Sequence, residues 1–456
     1  MKNIFRNPMF TSWIFTGSKM IVLLVLTTLI VKKFSVGEIA LWYLFTSIQG
    51  FAHLFDIGFS STIIRFTAYS AANKDPNHFS KSFQLLYGSM NTVFAILVLF
   101  VMGFFVAIGF LSVNEVVQEN NITHGFTAFL ILALIMPINF FLKKNDAFIK
   151  GLNQISLFNN WNAILYFVSG VATIIAIWMD LPFYIVVLTN QLFNVVNSIK
   201  NVFLLRSIVN FKFNIFRFSF DKEILLEYWR PTWKSALISF SSNGANNLIN
   251  IMIPNFFGVE IIASYLFSMR IIQFVNEFSW PPFYAYLPEF IKKYKQGDVL
   301  YTAKKAYSKL EFSIVLLILG ITALSVTADF ALSLINAKTT FIPIPLMVFL
   351  LLMLILERFT AMHSQIIMFS NDIEHYKQYL FLSISFIGLT FGLINIFGLY
   401  AIPLAYTGSV FFPLKVMMER SLRLMKVNFW DYVRNYMKKI IIVSVICLII
   451  LVIAVW

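Results

Sequence analysis

The chain has 456 residues, of which 59% are hydrophobic and only 12% are charged, whereas soluble domains carry about 25% charged residues. This composition excludes an ordinary soluble globule, and the length leaves no room for a sizeable extramembrane domain beside a full set of membrane spans. The net charge is +14, and the single cysteine, Cys447, excludes a disulfide or a cysteine-based metal site within one chain.

Apolar runs of about 20 residues, the length that crosses a bilayer, divide the chain into about thirteen predicted spans. In chain order they are Phe10–Val31, Ile39–Ile63, Phe83–Leu111, Phe126–Leu142, Trp161–Met179, Phe183–Leu205, Trp233–Phe257, Ile261–Pro288, Phe312–Ile335, Ile342–Phe369, Tyr379–Phe397, Tyr400–Val416 and Ile440–Trp456. The first run is too long for a signal peptide and lacks a small-residue cleavage site, so we interpret it as a retained helix.

Basic residues fall in alternate predicted loops, and one of these loops contains Lys143, Lys144 and Lys150. The intervening loops contain only Lys32, Lys33 and Lys338. Because basic residues resist translocation, we predict a multi-pass protein of the bacterial inner membrane with a cytoplasmic N-terminus. Topology accounts for the positive charge, so no nucleic-acid partner is expected.

Two short motifs recur at nearly half the chain length. The sequence Glu38–Phe45 returns as Glu260–Phe267, 222 residues later, and Leu152–Ile155 has a weaker echo in Ser370–Ile373, 218 residues later. Six predicted helices separate the paired motifs, so the two halves share one orientation and form a parallel repeat.

The predicted architecture therefore has two six-helix lobes and an additional C-terminal transmembrane helix. The N-terminal lobe covers 1–210, a cytoplasmic connection 211–231, the C-terminal lobe 232–418, and a basic amphipathic segment with the thirteenth span 419–456. We expect the basic segment Glu419–Lys439, which carries Leu422, Met425 and Trp430, to lie on the inner leaflet as an interfacial helix.

Polar side chains recur at helical spacing inside several predicted spans, where they are costly unless they face a partner or water. Lys19 lies roughly 14 Å into the first span, at about 1.5 Å per residue. We predict that a wet cavity is lined by substrate-binding residues, namely Lys19, Arg270, Lys234, Gln49, Asn243, Asn246, Asn247 and Asn250. Asp56 and Glu277 are the predicted ion-coupling carboxylates, for H⁺ or Na⁺.

Plainer interpretations stay open for these residues. Buried amides often only bond one helix to another, and Lys234 can extend to the membrane surface. Arg270 with Glu277, and Glu357 with Arg358, have the spacing of internal ion pairs. Asp56 is either a coupling carboxylate or a structural partner of Lys19 or Arg65.

The stretches Gly37–Leu44, Phe55–Phe59, Arg65–Phe66 and Phe148–Ile155 resemble bacterial polysaccharide flippases of the Wzx type. These belong to the multidrug/oligosaccharidyl-lipid/polysaccharide exporter superfamily. The resemblance implies a V-shaped pair of six-helix lobes that moves an undecaprenyl-pyrophosphate-linked oligosaccharide from the inner to the outer leaflet. It also implies a cationic lumen, for which Lys19, Arg270 and Lys234 are the matching residues here.

The expected partners are the lipid-linked oligosaccharide, membrane lipid, and a polysaccharide polymerase with other assembly proteins. The thirteenth span and the acidic Asp56 and Glu277 depart from the family pattern, which leaves the coupling ion and the sign of the substrate charge open. The alternative is a cation-coupled multidrug exporter similar to the MATE proteins, which predicts an acidic, aromatic-lined cavity. Deep lysine and arginine count against that alternative because they repel a cationic substrate.

Two further classes are considered. A membrane enzyme, such as a polymerase or glycosyltransferase, needs reactive residues on a longer extracytoplasmic loop than the sequence provides. Phosphate-binding glycine-rich loops, metal-ligand spacings and nucleophile elbows are also missing, so neither catalysis nor a cofactor is expected. A scaffold without a substrate would use the polar stripes only to join helices.

Overall fold

The computed structural model describes residues 6–54, 56, 58–72, 75–108, 113, 117–118, 122–209, 211, 213–219, 222–252, 256–257, 259–334, 341–370 and 373–455. The regular structure within these ranges is helical, which confirms the predicted all-α class. The chain forms two compact units, Met1–Thr232 and Trp233–Trp456.

Among the described residues, seven helices lie wholly in the N-terminal unit. They are α1 Pro8–Lys33, α2 Val36–Leu54, α3 Phe59–Ala72, α4 Pro76–Ile108, α5 Gly125–Gly151, α6 Ile155–Trp178 and α7 Phe183–Ile208. Helix α8, Lys222–Met252, begins in this unit and continues into the next.

The C-terminal unit contains nine further helices among the described residues. They are α9 Val259–Ser279, α10 Pro281–Tyr284, α11 Leu287–Lys295, α12 Val299–Leu334, α13 Ile344–Met368, α14 Tyr376–Phe397, α15 Ala401–Leu424, α16 Phe429–Tyr432 and α17 Lys438–Val455. The two recurring motifs that begin at Glu38 and Glu260 both lie in the first turn of a helix, α2 and α9, as a repeat requires.

Each of the thirteen predicted spans coincides with helical structure. By length and composition, eight stretches of the described residues are apolar enough to cross a membrane, and one of them, Tyr376–Leu424, contains both α14 and α15. Helices α2, α7, α8 and α9 are not among the eight. Helix α7 carries several amides, including Asn190, Gln191 and Asn194, which lower its hydropathy. Polar helices at these positions are consistent with interior faces that contact polar groups instead of lipid.

The second predicted span is interrupted. Helix α2 ends at Leu54 and α3 begins at Phe59, with Gly58 between them at a φ of 74°. A positive φ is accessible to glycine without a Cβ clash. Asp56 stabilises the start of α3, because its Oδ1 accepts a hydrogen bond of 3.1 Å from the backbone N–H of Ser60. The break places Asp56 at a helix terminus instead of within a continuous helix.

The eighth predicted span is also broken, as its prolines indicated. Helix α9 ends at Ser279, and Pro281 and Pro282 begin the short α10. Proline cannot donate the backbone hydrogen bond that would continue a helix. The chain therefore changes direction here while all three residues stay buried.

Aromatic side chains pack between α4 and the segment that follows α7 in the N-terminal unit. Phe83 packs edge-to-face against Phe211 and Phe213 at ring-centroid distances of 5.6 and 5.5 Å. The Asn91 amide donates to the carbonyls of Ile215 and Arg217 at 2.8 and 2.7 Å. The segment 213–219 is thus fixed along α4.

The basic segment Glu419–Lys439 does not form the separate interfacial helix that we predicted. Helix α15 continues to Leu424, and a new helical run starts at Phe429 and joins α17 through a π-helical turn, Val433–Met437. Tyr432 is fully buried, and its hydroxyl lies 3.2 Å from Nε2 of His363 on α13. This contact fixes the last helix to the C-terminal unit.

Candidate functional site

Helix α5 carries three charged residues on one face. Lys143, Asp146 and Lys150 are spaced i, i+3 and i+7, which aligns them along the helix. The sequence-based assignment of Lys143, Lys144 and Lys150 to a loop is wrong, because α5 continues to Gly151. Helical spacing was the signal that could have identified this face.

Lys143 lies at the centre of a connected set of charges. It interacts electrostatically with Asp56, Asp146, Lys150 and Lys19. Lys150 shares the same two carboxylates and the contact with Lys19. These residues come from α1, α5 and the break before α3, so the fold brings together groups that are distant in sequence.

Lys200 on α7 completes the set, because it interacts electrostatically with Asp146. We call Lys19, Lys143, Lys150 and Lys200 the lysine cluster. Three of its four ammonium groups, those of Lys143, Lys150 and Lys200, are electrostatic neighbours of Asp56 or Asp146. The cluster therefore carries excess positive charge, which attracts an anionic ligand.

Amides and an aromatic ring hold the lysine cluster in place. Asn201 Nδ2 donates to Asp146 Oδ1 at 2.7 Å, and Lys200 Nζ donates to Asn162 Oδ1 at 2.8 Å. Lys150 Nζ lies 4.6 Å from the ring centroid of Phe158, a cation–π distance. Asn162 Nδ2 and Asn201 Oδ1 are buried and have no hydrogen-bond partner within the described part of the chain. Such buried atoms require water or a ligand to satisfy them.

A cavity of about 230 Å³ with both apolar and polar residues in its wall lies within the same unit. Its polar lining consists of Thr46, Gln49, Ser169, Asn190, Gln191 and Asn194. The predicted substrate-binding residue Gln49 therefore lies on a cavity wall. Amide groups in such a lining can both donate to and accept from sugar hydroxyls.

Lys19 is exposed on α1, with Nζ 5.1 Å from the ring centroid of Phe15. Its exposure and its proximity to Lys143 and Lys150 place an accessible ammonium beside the enclosed ones. Lys19 is thus the exposed member of the lysine cluster.

The C-terminal unit also contains a cavity, with a volume of about 240 Å³. Glu357 lies in its wall together with Trp280, Tyr284, Tyr379, Phe386 and Tyr406. A carboxylate enclosed by aromatic rings matches the chemistry that binds organic cations. Sequence reasoning missed this site because Glu357 has the appearance of an ion-pair partner for its neighbour Arg358.

Arg358 is bonded elsewhere. Its Nη1 donates to Ser313 Oγ at 3.1 Å, its Nη2 donates to Asn276 O and Ser279 Oγ at 3.0 and 2.9 Å, and its guanidinium lies 3.4 Å from the ring centroid of Trp280. Neutral acceptors and a ring satisfy most of its donors. Within the described residues, no basic side chain lies within salt-bridge distance of Glu357.

The other predicted residues of the C-terminal unit occupy different environments. Lys234 forms an ion pair with Glu374, so its charge is compensated. Arg270 is exposed on α9, 5.8 Å from the ring centroid of Phe274. Glu277 is also exposed and accepts a 3.3 Å hydrogen bond from Gln273, so the predicted pair with Arg270 is not formed. The predicted amide face consists of Asn243, Asn246, Asn247 and Asn250, which lie on α8 with side chains outside the described part of the structure.

No group of three or more His, Cys, Asp or Glu side chains in the described ranges could hold a metal ion.

No family model and no curated protein matches the sequence. Solved structures do match the fold. A MATE protein in the bent conformation has a TM-score of 0.70 and 15% identity, with 93% of this chain and 98% of that chain covered. An outward-facing multidrug resistance MATE family transporter of the MOP superfamily has a TM-score of 0.66 and 16% identity over the same shares.

A third match is a MOP superfamily transporter from Pyrococcus furiosus, with a TM-score of 0.63 and 14% identity over 93% of this chain and 98% of that chain. It is described as having a binding pocket of reverse polarity, which was taken to indicate a different function. At these identities the likeness establishes the fold: this chain has the helical membrane fold of the MATE transporters.

Proposed function

We propose that this protein is a flippase that moves an undecaprenyl-pyrophosphate-linked oligosaccharide from the inner to the outer leaflet by alternating access. The observation that carries the proposal is the lysine cluster of the N-terminal unit. A pyrophosphate is a compact anion, and ammonium groups that are already held in place neutralise it with little reorganisation.

The cavity of the same unit suits the sugar part of the substrate. Gln49, Asn190 and Asn194 lie in the cavity wall, and their amide groups can donate and accept hydrogen bonds. The lipid tail would remain in the bilayer, and Arg270, exposed on α9, stays a proposed substrate-binding residue. The MATE fold supports a transport role, with the polysaccharide polymerase and other assembly proteins as proposed partners at the bacterial inner membrane.

We propose Glu357 as a coupling carboxylate in addition to Asp56 and Glu277. Asp56 has Lys143 and Lys150 as electrostatic neighbours, so fixed ammonium groups already compensate its charge. Glu357 has only Arg358 as a basic electrostatic neighbour, and that guanidinium is bonded to other groups. An H⁺ or Na⁺ that reaches Glu357 would therefore change the charge of its cavity most directly.

The proposal is tested by removing charge in a bacterium that depends on this chain for surface polysaccharide. Lys19→Ala and Arg270→Ala should each reduce polysaccharide at the cell surface without lowering the protein level in membranes. Lys33→Ala is the matched control, because Lys33 lies on the same helix as Lys19 but pairs with Asp180 at 2.8 Å. Normal polysaccharide in both test variants would overturn the assignment.

A second function, export of organic cations, is favoured by the acidic aromatic cavity around Glu357. Overexpression should then raise resistance to cationic drugs, and Glu357→Gln should abolish the gain. The flippase proposal predicts no gain in resistance from the wild-type chain.

A further inference from the structure

An apolar groove lies on the N-terminal unit. Its volume is about 670 Å³, within the range of about 300–1,000 Å³ typical of ligand sites. Helices α4, α5 and α7 form the walls, and the segment that contains Ile215 and Phe216 lies across them. Pro137 lies inside α5 at the groove, where a proline bends a helix.

The groove opens toward the surroundings of the unit. Leu134, Phe203 and Phe216 are 70%, 62% and 73% exposed, and the lining is almost wholly apolar. Two of its walls, α4 and α5, are apolar enough to span a membrane. Any spanning surface contacts lipid chains, so the apolar walls alone would select no particular lipid.

Selectivity comes from two arginines at one end of the groove. Arg206 follows Phe203 by one turn of α7, and Arg217 follows Phe216 directly. Arg217 Nη1 donates to Gln84 Oε1 at 3.2 Å, and Arg206 is an electrostatic neighbour of Tyr87. Gln84 and Tyr87 both precede the groove residue Ala95 on α4, so each arginine has a neighbour on the part of α4 that leads into the groove.

Both guanidinium groups are available to a ligand. Arg206 and Arg217 are exposed, and no carboxylate within the described ranges lies within salt-bridge distance of either. Arginine forms forked hydrogen bonds with phosphate oxygens, and basic residues near the inner surface attract anionic lipids.

We propose that this groove binds an anionic phospholipid of the bilayer, with an acyl chain between α4, α5 and α7 and the phosphate between Arg206 and Arg217. The positive charge of Arg206 and Arg217 selects an anionic headgroup, and the apolar walls contact the acyl chain. This site is separate from the proposed transport pathway and does not depend on it.

The test measures lipid retained by the purified full chain in detergent, using native mass spectrometry after exposure to equal amounts of phosphatidylglycerol and phosphatidylethanolamine. The wild-type chain should retain phosphatidylglycerol in preference, and Arg206→Gln/Arg217→Gln should reduce that retention at least about tenfold, as expected for loss of charge-assisted hydrogen bonds. The matched control, Lys295→Gln/Lys304→Gln, removes two exposed lysines from the other unit and should retain phosphatidylglycerol like the wild type.

A second pair of variants tests the groove itself. Ala133→Trp fills it, whereas Ala107→Trp places the same side chain at an exposed position on α4 outside the groove. Only Ala133→Trp should lose the lipid, with the melting temperature of each variant as the folding control. Equal retention of the two phospholipids by the wild type, or full retention by the arginine double variant, would overturn the proposal. Preferential retention of undecaprenyl phosphate that Ala133→Trp abolishes would also overturn it, since the groove would then hold a prenyl chain.

Discussion

The two units contain cavities of nearly equal volume and differ in how they hold their cations. In the N-terminal unit, the four lysines of the lysine cluster outnumber the carboxylates Asp56 and Asp146, and the cavity has amides in its wall. In the C-terminal unit, Glu357 lies in a cavity wall that contains several aromatic rings, and the nearby Arg358 is held by Ser313, Asn276 and Ser279. Cations therefore exceed carboxylates in the lysine cluster, whereas the cation beside Glu357 is committed to structural hydrogen bonds.

This difference shows why the presence of a charged residue in a span does not define its role. Lysine has a compact ammonium on a flexible stem, while arginine offers five donors in a planar fork. Arg358 uses that fork to join α9, α12 and α13. The lysine cluster combines four lysines with two carboxylates, and this excess of positive charge favours an anionic ligand.

The largest expected effect comes from Lys143→Gln/Lys150→Gln, which removes the excess positive charge of the lysine cluster. Each lost charge-assisted hydrogen bond costs about 1.5–3 kcal/mol, so translocation of the anionic lipid-linked oligosaccharide should fall at least about 100-fold. The measurement is transport of a fluorescent substrate in reconstituted vesicles. The melting temperature is measured alongside, because Asp56 and Asp146 lose basic neighbours in this variant, and transport is compared at equal amounts of folded protein. Lys33→Gln is the control. Wild-type transport by the double variant would show that the lysine cluster does not recognise the anionic substrate.

Arg358→Gln should have the opposite profile. Removing this 1% exposed side chain leaves several buried acceptors unpaired, so the free energy of unfolding should drop by about 3 kcal/mol. Thermal denaturation in detergent measures the effect, and substrate binding by the folded fraction should be unchanged. Arg270→Gln provides the control, since Arg270 is exposed in the same unit and its loss should leave the melting temperature unaltered. If Arg358→Gln melts like the wild type, the guanidinium does not hold the unit together.

Glu357→Gln tests the role of the carboxylate in the C-terminal cavity. We expect transport to lose its dependence on an H⁺ or Na⁺ gradient and to slow about tenfold, the equivalent of about 1.4 kcal/mol, while substrate binding persists. Rates in vesicles with and without each imposed gradient provide the measurement. Glu419→Gln, an exposed carboxylate of the same unit, should behave like the wild type. Gradient dependence that survives in Glu357→Gln would assign coupling to another carboxylate.

The smallest effect is expected for Tyr432→Phe. This change removes the hydrogen bond between the Tyr432 hydroxyl and His363 but keeps the ring, so stability should fall by about 1 kcal/mol. The melting temperature should decrease slightly while transport is retained. Tyr436→Phe, on the adjoining π-helical turn, serves as the control. A larger loss of transport than of stability would give the last helix a direct role in the transport cycle.

The positions of the helices could be predicted from sequence because a chain in a bilayer must satisfy its backbone hydrogen bonds internally, so long apolar runs have few other solutions. The lysine cluster was only partly predictable. Lys19 and Gln49 were identified from their depth and spacing, but Lys143 and Lys150 follow an apolar run, where basic residues usually mark a loop.

Tertiary contacts explain what the sequence left undecided. The adjacent Glu357 and Arg358 have the pattern of an ion pair, yet successive residues on a helix point in different directions. Arg358 is therefore directed to Ser313 and Asn276, while Glu357 lines the cavity. The compensation of Lys234 by Glu374 likewise joins residues that are far apart in sequence.

The central claim is that the N-terminal unit recognises the negative charge of the substrate headgroup. The most direct measurement compares binding of an undecaprenyl-pyrophosphate oligosaccharide with binding of the same oligosaccharide on uncharged undecaprenol, for the purified wild-type chain and for Lys19→Gln/Lys150→Gln. The account predicts that the wild type prefers the pyrophosphate at least about tenfold and that the double variant loses this preference. Equal binding of the charged and uncharged compounds by the wild type would contradict it.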